Sequence, residues 1–213
     1  MKVLSWNCRG LGSKSKEESM MDLVSLHQPD IFLIQETKME EAAFLQVSIK
    51  FWKKKGKAAI SSRGASGGIG TLWDDKKFEA IDIKYSSNWI LTLLRQKDTN
   101  TLVRIFNIYA PNSFADKKTC WNLLREERSN QHGNVILGGD FNVTLSQDEK
   151  RGGSLIRDPI REIVADIIQW SATSWISSHP QENTLGVIRG PAPGTLLPGW
   201  TNFWSRTPSS SWD

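Results

Sequence analysis

The sequence predicts an α/β sandwich with mixed sheets, and three observations carry that prediction. Short apolar segments of buried-strand length recur from the N-terminus, beginning at residues 2–7 and 31–34. Helical patterns alternate with them. Further strands, at residues 78–85, 88–95 and 102–109, follow one another at hairpin spacing, which an all-parallel doubly wound sheet does not allow.

Each element has a local cause. Residues 2–7 form an apolar strand that ends at Asn7. Residues 13–18 are polar and open a helix that runs to His27, with Met20, Met21, Val24 and Leu26 as its apolar face. Pro29-Asp30 stops that helix, residues 31–34 form the second buried strand, and Glu36 stands at its end. The basic run at residues 53–57 reads as the solvated part of a hairpin, and the Gly- and Ser-rich stretch 61–70 as a turn into a strand at 69–73. Asp98-Thr99-Asn100 makes the turn between the strands at 88–95 and 102–109. A helix follows at 117–128, then a buried strand at 135–137 that runs into Gly138-Gly139-Asp140-Phe141-Asn142. Asp158-Pro159 opens a last helix, with Ile160, Ile163, Val164, Ile167 and Ile168 on one broad face.

Composition narrows the function classes. Hydrophobic residues are 38% of the 213-residue chain and charged residues 23%, enough to build a core. No apolar run approaches the roughly 20 residues that span a bilayer, and Met1-Lys2 leads straight into a strand, so neither a membrane span nor a signal peptide is expected. Two cysteines, Cys8 and Cys120, are too few for a disulfide scaffold or a thiolate zinc site, and a reduced intracellular setting is the default. A net charge of +4 is compatible with a nucleic-acid partner without arguing for one. There is no G-x-G-x-x-G and no P-loop, so no small-molecule nucleotide cofactor is expected.

Four strands end in polar groups: Asn7, Glu36, the Tyr109-Ala-Pro-Asn112 turn, and Asp140 with Asn142. Strand ends can present side chains convergently to one cleft. Glu36 and Asp140 are hard oxygen ligands, and two carboxylates with amide oxygens suit Mg²⁺, with Mn²⁺ the alternative, because that ion keeps several waters and meets phosphate oxygens directly. Taken singly, each residue is equally an ordinary turn former or a surface charge. It is the joint pattern that points to a site.

That pattern resembles the endonuclease/exonuclease/phosphatase family, most closely the endonuclease domain of LINE-type (non-LTR) retrotransposons. The residues that carry the resemblance are Leu4-Ser-Trp-Asn-Cys-Arg-Gly-Leu-Gly12, Pro29-Asp-Ile-Phe-Leu-Ile-Gln-Glu-Thr-Lys38, Gly67-Gly-Ile-Gly-Thr-Leu-Trp73, Asn107-Ile-Tyr-Ala-Pro-Asn112 and Leu137-Gly-Gly-Asp-Phe-Asn142, followed by Glu149-Lys-Arg-Gly-Gly153. It covers residues 1–168. The resemblance implies a DNase I-like four-layer α/β sandwich and metal-assisted phosphodiester hydrolysis, with DNA as substrate and the nucleus as its place. It implies that Glu36 binds the metal, that Asn7, Asp140 and Asn142 line the metal and the scissile phosphate, and that Tyr109 contacts the phosphate. A non-catalytic remnant binding nucleic acid through the cleft and residues 53–57 is one alternative. A phosphatase or exonuclease of the same superfamily is another.

The family's Ser-Asp-His motif, which supplies its acid–base His, is missing. His27, His132 and His179 are the histidines here, and none follows an Asp. The Tyr-Thr-Trp and Arg-Leu-Asp segments expected after the GDFN motif are also missing. Composition breaks at the same place: residues 170–213 hold five of the ten Trp and five of the eight Pro, but only Glu182, Arg189, Arg206 and Asp213 as charges. Read one base over, codons from Asn183 onward permit both missing segments at the family's spacing. The expectation is a partial domain over 1–168 and a frameshifted, mostly irregular segment over 169–213, with catalysis impaired and part of the second sheet lost. A selected Trp- and Pro-rich interaction tail is the alternative.

Overall fold

The computed structural model describes residues 1–64, 66–129, 134–142, 160, 162–164, 167, 185–189 and 201–204. In chain order the elements are β1 Lys2–Asn7, α1 Lys14–His27, β2 Ile31–Gln35, α2 Glu41–Phe51, β3 Gly56–Arg63, β4 Ser66–Trp73, β5 Phe78–Tyr85, β6 Trp89–Gln96, β7 Leu102–Tyr109, α3 Phe114–Ser129, β8 Asn134–Asp140, β9 Leu185–Arg189 and β10 Thr201–Trp204. One sheet runs β10-β9-β1-β2-β4-β3 and the other β5-β6-β7-β8. Both are mixed: β1–β2 and β7–β8 pair in parallel, and the remaining pairs are antiparallel.

Three apolar layers hold the sandwich together. Leu4, Trp6, Phe32 and Ile34 pack outward from the first sheet against α1 and α2 residues such as Met20 and Phe44. Val3, Ile31, Leu33, Ile105 and Ile136 fill the space between the sheets. Phe106, Ile108 and Leu137 pack outward from the second sheet against Trp121 and Leu124 of α3 and against Ile160, Val164 and Ile167. The four layers of the DNase I-like sandwich are therefore present, and the described residues pack on both faces of β6, β7 and β8, while the edge strand β5 is largely exposed.

Strand periodicity explains how this scaffold makes a site. Successive side chains alternate faces, so Val3, Ser5 and Asn7 share the inter-sheet face of β1. Ile31, Leu33 and Gln35 share it on β2, Val103, Ile105, Asn107 and Tyr109 on β7, and Ile136, Gly138 and Asp140 on β8. On β1, β2 and β7 this face runs from apolar to polar, and on β8 it ends at Asp140. Registers align the polar ends, with Asn7 opposite Gln35 and Tyr109 opposite Asp140. The inter-sheet layer thus grades from a dry core into a polar mouth.

A buried polar bridge marks the transition. Asn107, fully buried, accepts a 2.7 Å hydrogen bond from Gln35 Nε2 and donates to Gly70 O at 2.8 Å and Thr71 Oγ1 at 3.1 Å. This ties β7 to β2 and β4 across the sandwich. Asn107→Leu keeps the volume but leaves Gln35 Nε2 and Gly70 O without these partners, and a buried unpaired group costs about 1–3 kcal/mol. The expected loss in a urea or guanidinium unfolding titration is about 2–4 kcal/mol.

Several sequence expectations need correction. α1 is capped by Ser13 and does bury Met20, but Met21 and Leu26 are exposed, and Leu23 and Val24 make the remaining contact. α2 was not anticipated. Residues 53–55 link α2 to β3 and Lys57 lies in the β3–β4 hairpin, so only part of the basic run belongs to a hairpin. The run sits at the pole opposite the strand ends that carry Asn7 and Glu36, where Lys54 pairs with Asp74 at 3.1 Å. It therefore does not line the cleft itself. The hairpin strands also run deeper into the Gly- and Ser-rich stretch than expected. Within 169–213 the nine described residues are strands, with β9 antiparallel to β1 and β10 to β9, so the expectation of irregular structure does not hold there. The physical reason is that strand pairing uses backbone groups, and β1 would otherwise present an unpaired edge. Among the described residues, no helix is long and apolar enough to cross a membrane. His132, His179 and the 149–153 motif lie outside the described residues.

Candidate active site

All five residues singled out at strand ends come to one mouth. Asn7 reaches from the first sheet to the second, its Nδ2 donating to Asp140 Oδ2 at 2.6 Å. Its Oδ1 accepts from Arg9 N at 3.2 Å, which fixes the amide orientation. The Asn142 backbone N–H donates to Asp140 Oδ1 at 3.0 Å, so both Asp140 oxygens are held. The Asn142 side chain donates to Ala110 O at 2.5 Å and ties the GDFN loop to the turn after β7. Asn142 takes a left-handed backbone, φ 48°, which Asn tolerates better than most residues.

Glu36 also takes a left-handed backbone, at φ 54°. The next residues pair with the start of β4, Thr37 N to Gly68 O and Lys38 N to Gly67 O, both at 3.0 Å. That approach requires glycine at 68, where φ is 82° and a Cβ would stand 2.2 Å from Thr37 Oγ1.

The electrostatics tie Glu36, Asp140 and Tyr109 together. Burial pushes the Asp140 carboxyl above its ordinary range. The hydrogen bonds from Asn142 and Asn7 oppose this, the Glu36 charge adds to it, and the Arg9 charge opposes it. Burial first, then the charges of Glu36 and Asp140, pushes the Tyr109 hydroxyl up to about 12. Tyr109 is therefore a neutral hydrogen-bond donor across the working pH range. Both cysteines are buried, and burial pushes each thiol up to about 12, so neither supplies a thiolate nucleophile.

The raised Asp140 pKa has a signed consequence. Between the ordinary and the raised value the folded chain holds a proton that the unfolded chain has released. Asp140's contribution to stability therefore falls as pH rises through that window and stays lower above it. Glu36→Gln removes one cause of the shift. The Asp140 carboxyl, followed by carbon-detected NMR, should then titrate at lower pH than in the parent chain. An unchanged midpoint would mean that the two carboxylates do not share one field.

Sequence reading assigned no role to Gln35, Asn107, Arg9 or Lys38, although all four lie in its motifs. A signal for the first two was present: they are polar residues at inward positions of otherwise apolar strands, where alternation demands a partner.

The chain belongs to the endonuclease/exonuclease/phosphatase family, whose profile matches residues 4–212. No curated protein matches the chain. Solved structures with a similar fold include a 3′ phosphatase from Neisseria bound to a product DNA hairpin, 20% identical with TM-score 0.55, where the match covers 70% of this chain and 60% of that one. The catalytic domain of APE2 from Xenopus laevis is 16% identical with TM-score 0.61, and the match covers 78% of this chain and 67% of that one. An AP endonuclease from Leishmania major is also 16% identical with TM-score 0.61, with coverage of 79% and 66%. This chain thus spans about three-fifths to two-thirds of the length of these structures. Identities this low speak to the fold alone.

Proposed function

We propose that this chain is a Mg²⁺-dependent phosphodiester hydrolase domain of DNA-endonuclease type and LINE-type retrotransposon origin, with impaired catalysis. The observation that carries the hydrolase reading is the Asn7–Asp140 bridge between the sheets, with Glu36 and Tyr109 in the same electrostatic field. The LINE-type assignment rests on the five ordered motifs, and the impairment on the missing Asp-His pair.

The residues fit a hard divalent cation. Glu36 and Asp140 offer hard oxygen donors, unlike the Cys and His sets typical of closed zinc sites. Two carboxylates are what Mg²⁺ needs when waters and substrate oxygens complete its shell. Burial first, and then the Glu36 charge, disfavours the Asp140 carboxylate, and a cation beside it would favour the charged form. Glu36 and Asp140 would hold the ion, with the Asn7 and Asn142 amides beside them. When bound, the ion supplies charge stabilisation at the phosphoryl oxygens.

The chain's own groups have distinct tasks in this reading. The neutral Tyr109 hydroxyl donates a hydrogen bond to a phosphate oxygen. Asn7 and the Asn142 N–H fix both oxygens of Asp140. The Asp140 carboxylate, held in one orientation by those two bonds, acts at the attacking water or at the leaving group.

A Mn²⁺ titration read by electron paramagnetic resonance tests the site. Saturable binding is expected, weakened at least about tenfold by Glu36→Gln or Asp140→Asn, as for loss of a charged ligand. Equal affinity in all three chains would remove the metal from this reading. A Mg²⁺-dependent plasmid-nicking assay separates an impaired enzyme from the second reading, a remnant that binds nucleic acid without cleaving it.

A further inference from the structure

Glu36 and Lys38 both adopt left-handed backbone, at φ 54° and 55°, with Thr37 between them. For residues with a Cβ this conformation persists only where the surroundings impose it. Here they do: Gly10 N donates to Glu36 O at 2.7 Å, Leu11 N to Thr37 O at 2.9 Å, and Lys38 N to Gly67 O at 3.0 Å. The turn brings the two side chains together, with Lys38 Nζ 3.2 Å from Glu36 Oε1. The Lys38 stem passes over Gly10, where an added Cβ would stand 3.5 Å from its Cδ. Lys38 is 40% exposed along its side chain and Glu36 only 18%. A partly exposed cation therefore sits on one of the two carboxylates assigned to the metal.

We propose that Lys38 is a resident counter-ion of Glu36 that a divalent metal displaces, and that its released ammonium then binds a phosphate oxygen of the nucleic acid. This rests on the metal reading above. The chemistry of lysine favours the exchange: its ammonium is a compact charge on a flexible stem, with donors that rotate freely. A partly exposed ion pair is weak, so a doubly charged ion on Glu36 outcompetes it and repels the ammonium toward solvent. Metal and nucleic acid thus share Lys38, and each should strengthen the other's binding by the same factor, because the coupling is reciprocal.

The test is a Mn²⁺ titration of the 213-residue chain, with and without a short single-stranded DNA oligonucleotide, in the parent, Lys38→Gln, Lys38→Arg and Glu36→Gln. Lys38→Gln is expected to raise Mn²⁺ affinity about two- to fivefold, the range for losing a partly exposed competing pair. It is also expected to cut the Mn²⁺–oligonucleotide coupling factor by at least half, while Lys38→Arg retains it. If Lys38 merely stands near the metal without moving, Lys38→Gln would raise affinity equally with and without DNA and leave the coupling unchanged, and that result overturns the exchange. So does unchanged or weaker Mn²⁺ binding in Lys38→Gln. If Glu36→Gln binds Mn²⁺ as the parent does, the metal reading falls and the exchange with it. If Glu36→Gln loses affinity and Lys38→Gln gains none, the exchange alone falls.

Discussion

Incubated with supercoiled plasmid and Mg²⁺, the 213-residue chain is expected to nick at least about 10²-fold more slowly than a frame-restored version. In that version, residues from 170 onward carry the other reading frame through the Ser-Asp-His segment it should encode. The described site supplies two carboxylates, a neutral phenol and orienting amides, but none of the chain's histidines follows an Asp. General acid–base catalysis contributes about 10²–10⁴-fold, and a pair that acts as a unit can contribute more when both members are lost. Strands β9 and β10 do not replace it: β9 gives β1 a backbone partner, and β10 pairs in turn with β9. Glu36→Ala in the restored chain should abolish nicking again. Equal nicking by the two chains would show the Asp-His pair to be dispensable and would overturn the proposed impairment.

Gly139→Ala is expected to cost more than about 4 kcal/mol and to leave little soluble folded protein. Gly139 lies in β8 with φ 129°, a conformation that side chains rarely adopt. An added Cβ would stand 1.9 Å from Ile108 O and 2.8 Å from Ile108 N. The obstacle is the backbone of β7, which is paired on its other side to β6 and cannot turn aside as a side-chain tip would. Relief requires parting β7 from β8 next to the Tyr109–Asp140 register pair, so the site should be lost with the fold. Gly12→Ala is the control. A Cβ there meets nothing within 4 Å, and thermal unfolding should move little. A Gly139→Ala chain that unfolds within a few degrees of the parent would show that β7 and β8 do not approach this closely.

Much of the candidate site was legible because its residues break a pattern. Asn7, Glu36, Tyr109 and Asp140 each end a strand whose other residues are apolar or alternating, and hydrophobic burial leaves such polar groups only at an edge. The helix over residues 41–51 was not legible: its apolar residues are set in sequence with no stop signal before the basic run, and what holds it is burial of Phe44, Ser48 and Phe51 against the first sheet. The misplaced face of α1 has a similar cause. Met20, Met21, Val24 and Leu26 are all apolar, and only the position of the sheet decides that Met20 goes in and Leu26 stays out.

By itself the sequence determined the strand periodicity, the mixed-sheet class and the set of oxygen-bearing residues at the strand ends, since these follow from local alternation and side-chain chemistry. Only the tertiary structure decided that Asn7 would bond Asp140 across 133 residues, that Lys38 would sit on Glu36, and that the basic run would face the opposite pole. It also decided that Leu185–Arg189 would pair with β1. Those outcomes depend on sheet order and register, and pairing between distant strands is set by which edges and faces remain unburied once the whole chain packs.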